Sequence, residues 1–333
     1  MSGEYDFVLS YKLFEMKYYF APLQGYTDAL FREIHAKHFN GIDAYYTPFC
    51  RMERGELRWH DQKDIMPERN TFLTDLNKLI PQIIANTAEE VDFLVPFLME
   101  KGYRRIDMNF GCPFPMIAKK QKGAGILSCP DKVETVLLAM NKYKDCQFSV
   151  KMRLGMTDAN ECLQILPLLN DANLKQITMH ARLGKDQYKG ELDYDAFEKF
   201  YSQCKVPLVF NGDIVDVDSC AQITTKYPQL DGVMIGRGLL QNPFLVEEII
   251  NESVVPSAEK SKRLKKFVTD LADGYSNVMS GGELQLVQKL SSYWEYLLPD
   301  LEHRLRKKIL KSRKLSDYNS NVMEALSLYA KNE

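Results

Sequence analysis

Along the first 250 residues, short apolar runs alternate with longer amphipathic stretches, the rhythm of strands separated by crossover helices. Eight runs read as strands: YYFAPL (18–23), DAYYTPF (43–49), QIIAN (82–86), RIDMNF (105–110), FSVKMRL (148–154), ITMHARL (177–183), PLVFNG (207–212) and GVMIG (232–236). Helical periodicity fills most of the gaps, as in TAEEVDFLVPFLMEKG (87–102), where Thr87 reads as the N-cap and Gly102 as the stop. Eight βα units in this length predict an α/β fold, a TIM (β/α)8 barrel spanning residues 1–250. The competing doubly wound sheet lacks its mark, because no G-x-G-x-x-G follows the first strand.

After VVPSAEKSK (254–262) the strand signal ends. Four helical stretches follow, near 260–279, 283–297, 299–314 and 316–331, punctuated by Ser280-Gly281-Gly282, Pro299 and Ser316. They predict a C-terminal all-helical domain over residues 257–333. Charge separates the two regions. Residues 257–333 hold 14 basic against 10 acidic side chains, although the whole chain carries a net charge of −2. The run HRLRKKILKSRK (303–314) has seven basic residues and no acid. A solvated helix face and an anion-binding surface, RNA included, both fit such a run.

Composition narrows the class. Hydrophobic content of 45% and charged content of 26% are those of a soluble globular protein, and no run reaches the ~20 apolar residues of a membrane helix. The amino terminus lacks the basic-then-apolar order of a secretory leader. Seven scattered cysteines without a C-x-x-C pair argue against a disulfide framework and a zinc site, and suit a reducing cytoplasm.

In a TIM barrel the working residues stand at the C-terminal strand ends. Here those ends carry Ala21-Pro22-Leu23, Thr47-Pro48, Gln82, Asn109 to Cys112, Lys151-Met152-Arg153, His180-Ala181-Arg182, Asn211-Gly212-Asp213 and Gly236-Arg237-Gly238. So many polar groups at one mouth need partners, and they read as a site. Glycines at the ends of strands seven and eight let backbone N–H groups approach a phosphate, so Gly236 and Arg237 read as a phosphate cradle. Lys151 and Arg153 lie two apart and point to one face, with no carboxylate evident opposite them, which favours a bound anion. His180 on the next strand is placed to donate to the same ligand. Cys112 sits between Gly111 and Pro113 on a stiff loop with no histidine near in sequence. A thiol with a pKa of about 8.5 holds its proton near neutrality, so general acid is its expected role.

Taken in order, APLQGYTDALFREI, PQIIANTAEE, DMNFGCP…KGAGIL, VKMRLG, HARLGKDQYKG, VFNGDI and DGVMIGRGLLQNPFL resemble the tRNA-dihydrouridine synthases over residues 18–250. The resemblance implies an FMN-dependent barrel that reduces the carbon 5–carbon 6 double bond of a tRNA uridine with NADPH. By position, Ala21, Pro22 and Leu23 would line the flavin ring, Gln82 would bond its edge, and Lys151 would stand at its pyrimidine side. His180, Asn211, Gly212, Asp213, Gly236 and Arg237 would hold the ring edge, ribityl chain and phosphate. Asn109, Arg153 and Arg182 would face the uracil, and Cys112 would protonate carbon 5. The basic tail resembles that family's RNA-binding domain more loosely, with Lys307, Lys308, Lys311 and Arg313 as its candidate tRNA contacts. Lys122 and Gly184 depart from the usual family residues, at positions expected on the RNA face. A cytoplasmic monomer with tRNA as partner, and no metal or membrane contact, is the expectation. The alternatives are a small-molecule flavin oxidoreductase of the dihydroorotate-dehydrogenase kind on the same barrel, and an RNA-binding protein without catalysis.

Overall fold

The structure, a computed structural model, describes residues 16–66, 73 and 75–331. The amino-terminal stretch expected to lack a secretory leader lies outside them, apart from its last few residues. Parallel strands β1 (Lys17–Phe20), β2 (Ala44–Tyr46), β4 (Arg105–Phe110), β5 (Gln147–Gly155), β6 (Leu174–Leu183), β7 (Leu208–Asn211) and β8 (Gly232–Ile235) pair in sequence order, and β8 returns to β1. The segments Leu79–Ile80 and Gln82–Ile83 flank Pro81 and together form β3. Proline has no N–H, so the ladder is interrupted there. The first half still pairs with β2 through Tyr46 and Ile80, and the second with β4 through Gln82 and Asp107. The Pro81 carbonyl accepts the Asp107 N–H at 2.9 Å, which closes a barrel of eight strands. A crossover helix follows most strands: α1 (Ala29–His38), α2 (Ala88–Glu100), α3 (Pro130–Met140), α4 (Asn160–Asp171), α5 (Tyr194–Tyr201) and α6 (Val217–Lys226). After β2 the chain instead forms a short hairpin, Met52–Glu53 with Glu56–Leu57, and one helical turn.

Side chains alternate across each strand, and here the alternation divides the barrel interior in two. Tyr19, Ala21, Ala44, Tyr46, Ile80, Val209 and Met234 make one inner wall apolar. Asp107, Asn109, Ser149, Arg153, Gln176, Thr178, His180 and Arg182, from β4 to β6, make the opposite wall polar and buried, with Lys151 among them. A dry polar wall is stable only when its donors and acceptors meet.

Beyond β8 come α7 (Arg237–Gln241) and α8 (Leu245–Asn251), then the helical region: α9 (Ser257–Val278), α10 (Gly282–Ser292), α11 (His303–Leu310) and α12 (Leu315–Tyr329). The third helix is shorter than its periodicity suggested, because the chain after α10 turns through a 3-10 segment and Leu298 takes a φ of 52°. One continuous apolar core joins the helices to the barrel. Phe31 of α1 stacks on Tyr293 at 4.9 Å, and Phe267 of α9 meets Phe31 and Phe39 edge-on at 6.0 and 5.0 Å. Polar contacts fix the joint beside the mouth. Lys289 donates to the Gly25 carbonyl at 2.8 Å and pairs with Asp28 at 3.0 Å, over the rings of Tyr275 and Tyr293. Arg306, inside the basic run, turns inward and donates to the carbonyls of Trp294, Leu297 and Leu298. Among the described residues no helix is long and apolar enough to cross a membrane.

Phe267 is nearly fully buried at this joint. We expect Phe267→Ala to lower the unfolding free energy by about 3–5 kcal/mol in denaturant titration. A loss below about 1 kcal/mol would show the joint to be loosely packed.

Candidate active site

The C-terminal strand ends surround a cavity of about 310 Å³. Ala21, Pro22, Leu23, Gln82, Asn109, Cys112, Lys151, Arg153, His180, Asn211, Gly212, Asp213, Gly236 and Arg237 all line it. Lys307, Lys308, Lys311 and Arg313 stand apart, exposed on α11 and the turn after it. Lys308 is paired there with Glu324 at 3.0 Å.

The cysteine loop is held from three sides. Asn109 Oδ1 accepts the N–H groups of Gly111 at 3.0 Å and Cys112 at 2.8 Å. The Cys112 carbonyl accepts from Ala124 N–H at 2.9 Å. Gly123, at φ 57°, lies so close beneath that a Cβ there would stand 2.5 Å from the Cys112 carbonyl oxygen, so only glycine fits. Lys122 and Gly184, expected on the RNA face, are turned inward instead. Lys122 forms an ion pair with Glu90, its side chain 15% exposed, and anchors the lysine-rich segment. A Cβ at Gly184 would stand 2.5 Å from Met156 Sδ, so the position is filled by its neighbours.

Positive charge dominates the cavity. Lys151, Arg153 and Arg237 line it, and Arg182 stands directly behind. Asp213 faces them, accepting from Arg182 and, at 2.8 Å, from Arg237. A second carboxylate, which the sequence reading did not place opposite Lys151 and Arg153, is Asp107, fully buried deeper in the barrel. It accepts from Gln82 Nε2 at 2.6 Å and Ser149 Oγ at 2.5 Å, while Gln82 Oε1 accepts from Asn109 Nδ2 at 2.7 Å. Four cations thus meet two carboxylates.

Proton affinities follow from that burial and charge. Burial, aided by Arg153 and opposed by Asp107, lowers Lys151 from 10.5 to about 8. Burial and then the surrounding guanidinium and ammonium groups hold His180 well below its ordinary value, so it is neutral. Burial pushes the Cys112 thiol up, against weaker pulls from the Phe114 N–H and the nearby cations. Burial raises Asp107 to about 6, opposed by the Gln82 and Ser149 hydrogen bonds and by Lys151. For Asp213, burial is outweighed by its bonds and charge contacts with Arg182 and Arg237, and its pKa falls.

Two expected substrate-side residues are otherwise engaged. Arg182 has a side chain only 4% exposed, and it donates to the Gly190 carbonyl and Asp213. It braces the wall from behind rather than facing the cavity. Both ends of the Asn109 amide are taken by Gln82 and the cysteine loop. Arg153 donates to the carbonyls of Gly111 and Leu183 at 3.1 and 2.8 Å. Tyr188, which sequence reasoning did not single out, lines the cavity with its ring 5.4 Å from the Arg153 guanidinium and 5.1 Å from that of Arg237. Its signal was an aromatic residue alone among polar ones in the loop GKDQYKG. Gly236 opens α7, a helix of little more than one turn, so charge at this end comes from Arg237 rather than a helix dipole.

The family model described as dihydrouridine synthase matches residues 19–323. The tRNA-dihydrouridine synthase B of Pasteurella multocida is 29% identical over 274 residues, 80% of each chain. The probable tRNA-dihydrouridine synthase 2 of Bacillus subtilis is 29% identical over 77% of this chain and 78% of its own. The tRNA-dihydrouridine synthase B of Proteus vulgaris is 26% identical over 94% of both.

An ammonium with a depressed pKa opposes folding wherever the unfolded chain would hold its proton more tightly. For Lys151 that opposition is complete below about pH 8 and fades toward 10.5. Stability of the ligand-free protein should therefore rise across that window. Lys151→Met should gain about 1–3 kcal/mol at pH 7 and lose the rise, read from urea unfolding at a series of pH values.

Proposed function

The chain belongs to the dihydrouridine synthase family, and from that premise we propose that it reduces a uridine in tRNA to 5,6-dihydrouridine, with FMN in the mouth cavity and NADPH as reductant. The observation that carries this reading is the convergence of a protonated thiol and an excess of buried cations on one cavity. The residues present fit the flavin. Lys151 Nζ has one hydrogen-bond acceptor among the described residues, the neutral Asn211 Oδ1 at 3.0 Å, so donors remain for an anionic edge. At Gly236 a Cβ would stand 3.4 Å from Ala21 Cβ and beside Leu23, in the space a ligand would use. Ala21, Pro22 and Leu23 offer the apolar wall, Gln82 and Lys151 the polar edge. His180, Asn211, Gly212, Asp213, Gly236 and Arg237 form the chain and phosphate end.

When bound, FMN supplies the hydride that carbon 6 of the pyrimidine receives. Cys112 gives its proton to carbon 5, leaving a thiolate that regains a proton from water. Arg153, fixed by two carbonyls, orients the uracil together with Tyr188, whereas Asn109 sets the loop from which the thiol acts. Neutral His180 donates one hydrogen bond without adding charge. A uridine in folded tRNA must leave its stack to enter so narrow a mouth. The helical region, bonded to the rim through Lys289 and Gly25, would present Lys307, Lys308, Lys311 and Arg313 to phosphates at a fixed distance from the thiol. That attachment favours tRNA over a free small molecule as substrate.

Incubation with FMN, NADPH and unmodified tRNA should add two hydrogens to one uridine by mass spectrometry. Cys112→Ala should keep flavin and lose at least about 100-fold in turnover; unchanged turnover would remove it as the acid. Lys307/Lys308/Lys311→Ala should weaken tRNA binding and flatten its salt dependence by up to about three counterions. Equal affinity and slope would clear those lysines of phosphate contact.

A further inference from the structure

We infer that Asp107 is a positioning residue for the thiol, acting through a one-directional chain of hydrogen bonds that runs from Asp107 through Gln82 and Asn109 to the Cys112 backbone. This deepens the proposed function, since it concerns the same acid. The chain is continuous. Gln82 Nε2 donates to Asp107 Oδ2 at 2.6 Å, Asn109 Nδ2 donates to Gln82 Oε1 at 2.7 Å, and Cys112 N–H donates to Asn109 Oδ1 at 2.8 Å.

An amide side chain turned by 180° exchanges its donor and acceptor, and packing alone resists that exchange weakly because oxygen and NH₂ are similar in size. Direction must come from the ends. At the upper end, the N–H groups of Gly111 and Cys112 only donate, so Asn109 must present oxygen to them. At the lower end, an ionised carboxylate only accepts, so Gln82 must present nitrogen to it. Ser149 Oγ donates to the other carboxylate oxygen at 2.5 Å, leaving Asp107 nothing but acceptor roles. Both ends thus demand the same orientation of the two amides between them. Gln82 is 1% exposed, Asn109 7% and Asp107 0%, so water cannot substitute for a lost partner at small cost. With the direction reversed, Asn109 would turn NH₂ toward two backbone N–H groups, and the cysteine loop would lose its grip.

The test moves the charge by one residue and measures the loop directly. Gln82→Glu sets two carboxylates against each other and removes the donor to Asp107. Gln82→Glu combined with Asp107→Asn restores the alternation, because the new amide donates to the new carboxylate and accepts from Ser149. The full-length protein is treated with iodoacetamide without tRNA, and Cys112 modification is followed by peptide mass spectrometry. Gln82→Glu should react about tenfold faster than the parent, and the double variant should return to within about threefold. Turnover on tRNA with FMN and NADPH should fall roughly 10- to 100-fold in Gln82→Glu. It should be higher in the double variant than in the single one, short of the parent because position 82 also lines the cavity. Any effect of an acid at position 82 on flavin is common to both variants and cancels. A double variant no better than Gln82→Glu, or a single variant with the parental alkylation rate, overturns the inference. Should Gln82→Glu fail to fold, Asp107→Leu against Asp107→Asn asks the same question: only the former should speed alkylation, and equal rates overturn it. A parent inactive on tRNA would sink the proposed substrate while leaving the alkylation result standing.

Discussion

This barrel carries more buried positive charge at its mouth than it neutralises, and the arrangement of the rest follows from that excess. Asp213 is shared between Arg182 and Arg237, and Asp107 serves the floor beneath Lys151. Burial first, and the remaining imbalance after it, depress proton affinity at Lys151, Arg153 and His180. Such a site costs the free protein stability, and an anionic ligand offsets that cost on binding. The apolar wall opposite, with Tyr19, Tyr46 and Met234 at its core, adds no charge of its own. Of this wall Ala21 and Met234 reach the cavity, where with Pro22 and Leu23 they give an apolar side suited to a ligand with one greasy face and one charged edge.

Much of this was legible from strand periodicity. The rule that put Lys151 and Arg153 on one face also reaches back to Ser149, and on neighbouring strands it links Asn109 to Asp107 and His180 to Gln176 and Thr178. Extended downward, the same alternation would have found the buried carboxylate under the lysine. What periodicity could not give was direction within a layer. Arg182 shares a face with His180, yet its guanidinium swings behind the wall to Asp213, because that carboxylate follows β7 and comes near only after closure. Lys122 looked like a free surface cation beside two other lysines, and its partner Glu90 lies 32 residues away on α2. Pro81 obscured the third strand by removing an N–H that defines pairing, although its neighbours continue the sheet on both sides.

The helical region is not a loosely tethered appendage. Asp28 caps α1 through the Phe31 N–H at 3.1 Å and also receives the Tyr275 hydroxyl at 2.7 Å and Lys289. The same lysine holds the Gly25 carbonyl in the loop after β1, and the Tyr293 hydroxyl donates to the Tyr26 carbonyl at 2.9 Å. Leu23 and Gln24, immediately before these contacts, line the cavity. A macromolecule held by the helices would therefore be registered against the cavity rim through short, direct bonds, not through a linker whose length would blur the position.

For the reaction proposed above, the pocket also narrows the choice of proton donor by elimination. His180 stays neutral because it is buried and, secondly, because four cations surround it, so its remaining N–H is a hydrogen-bond donor and not an acid of useful strength. A guanidinium is no acid in this pH range, and those of Arg153 and Arg237 are spent on carbonyls or Asp213. Asp107 lies below the floor with its oxygens occupied. Lys151 could release a proton near neutrality. Yet among the described residues of the cavity it is the cation without a carboxylate or backbone carbonyl acceptor, free to balance a ligand's negative edge. Losing its proton would remove that balance when charge develops there. Among the described residues Cys112 alone combines a proton retained at neutral pH, a position on the cavity wall and a backbone locked by Asn109, Ala124 and Gly123. A thiolate left behind there would be stabilised by Arg153 and Lys151, the same charges that would draw an anionic ligand into the cavity.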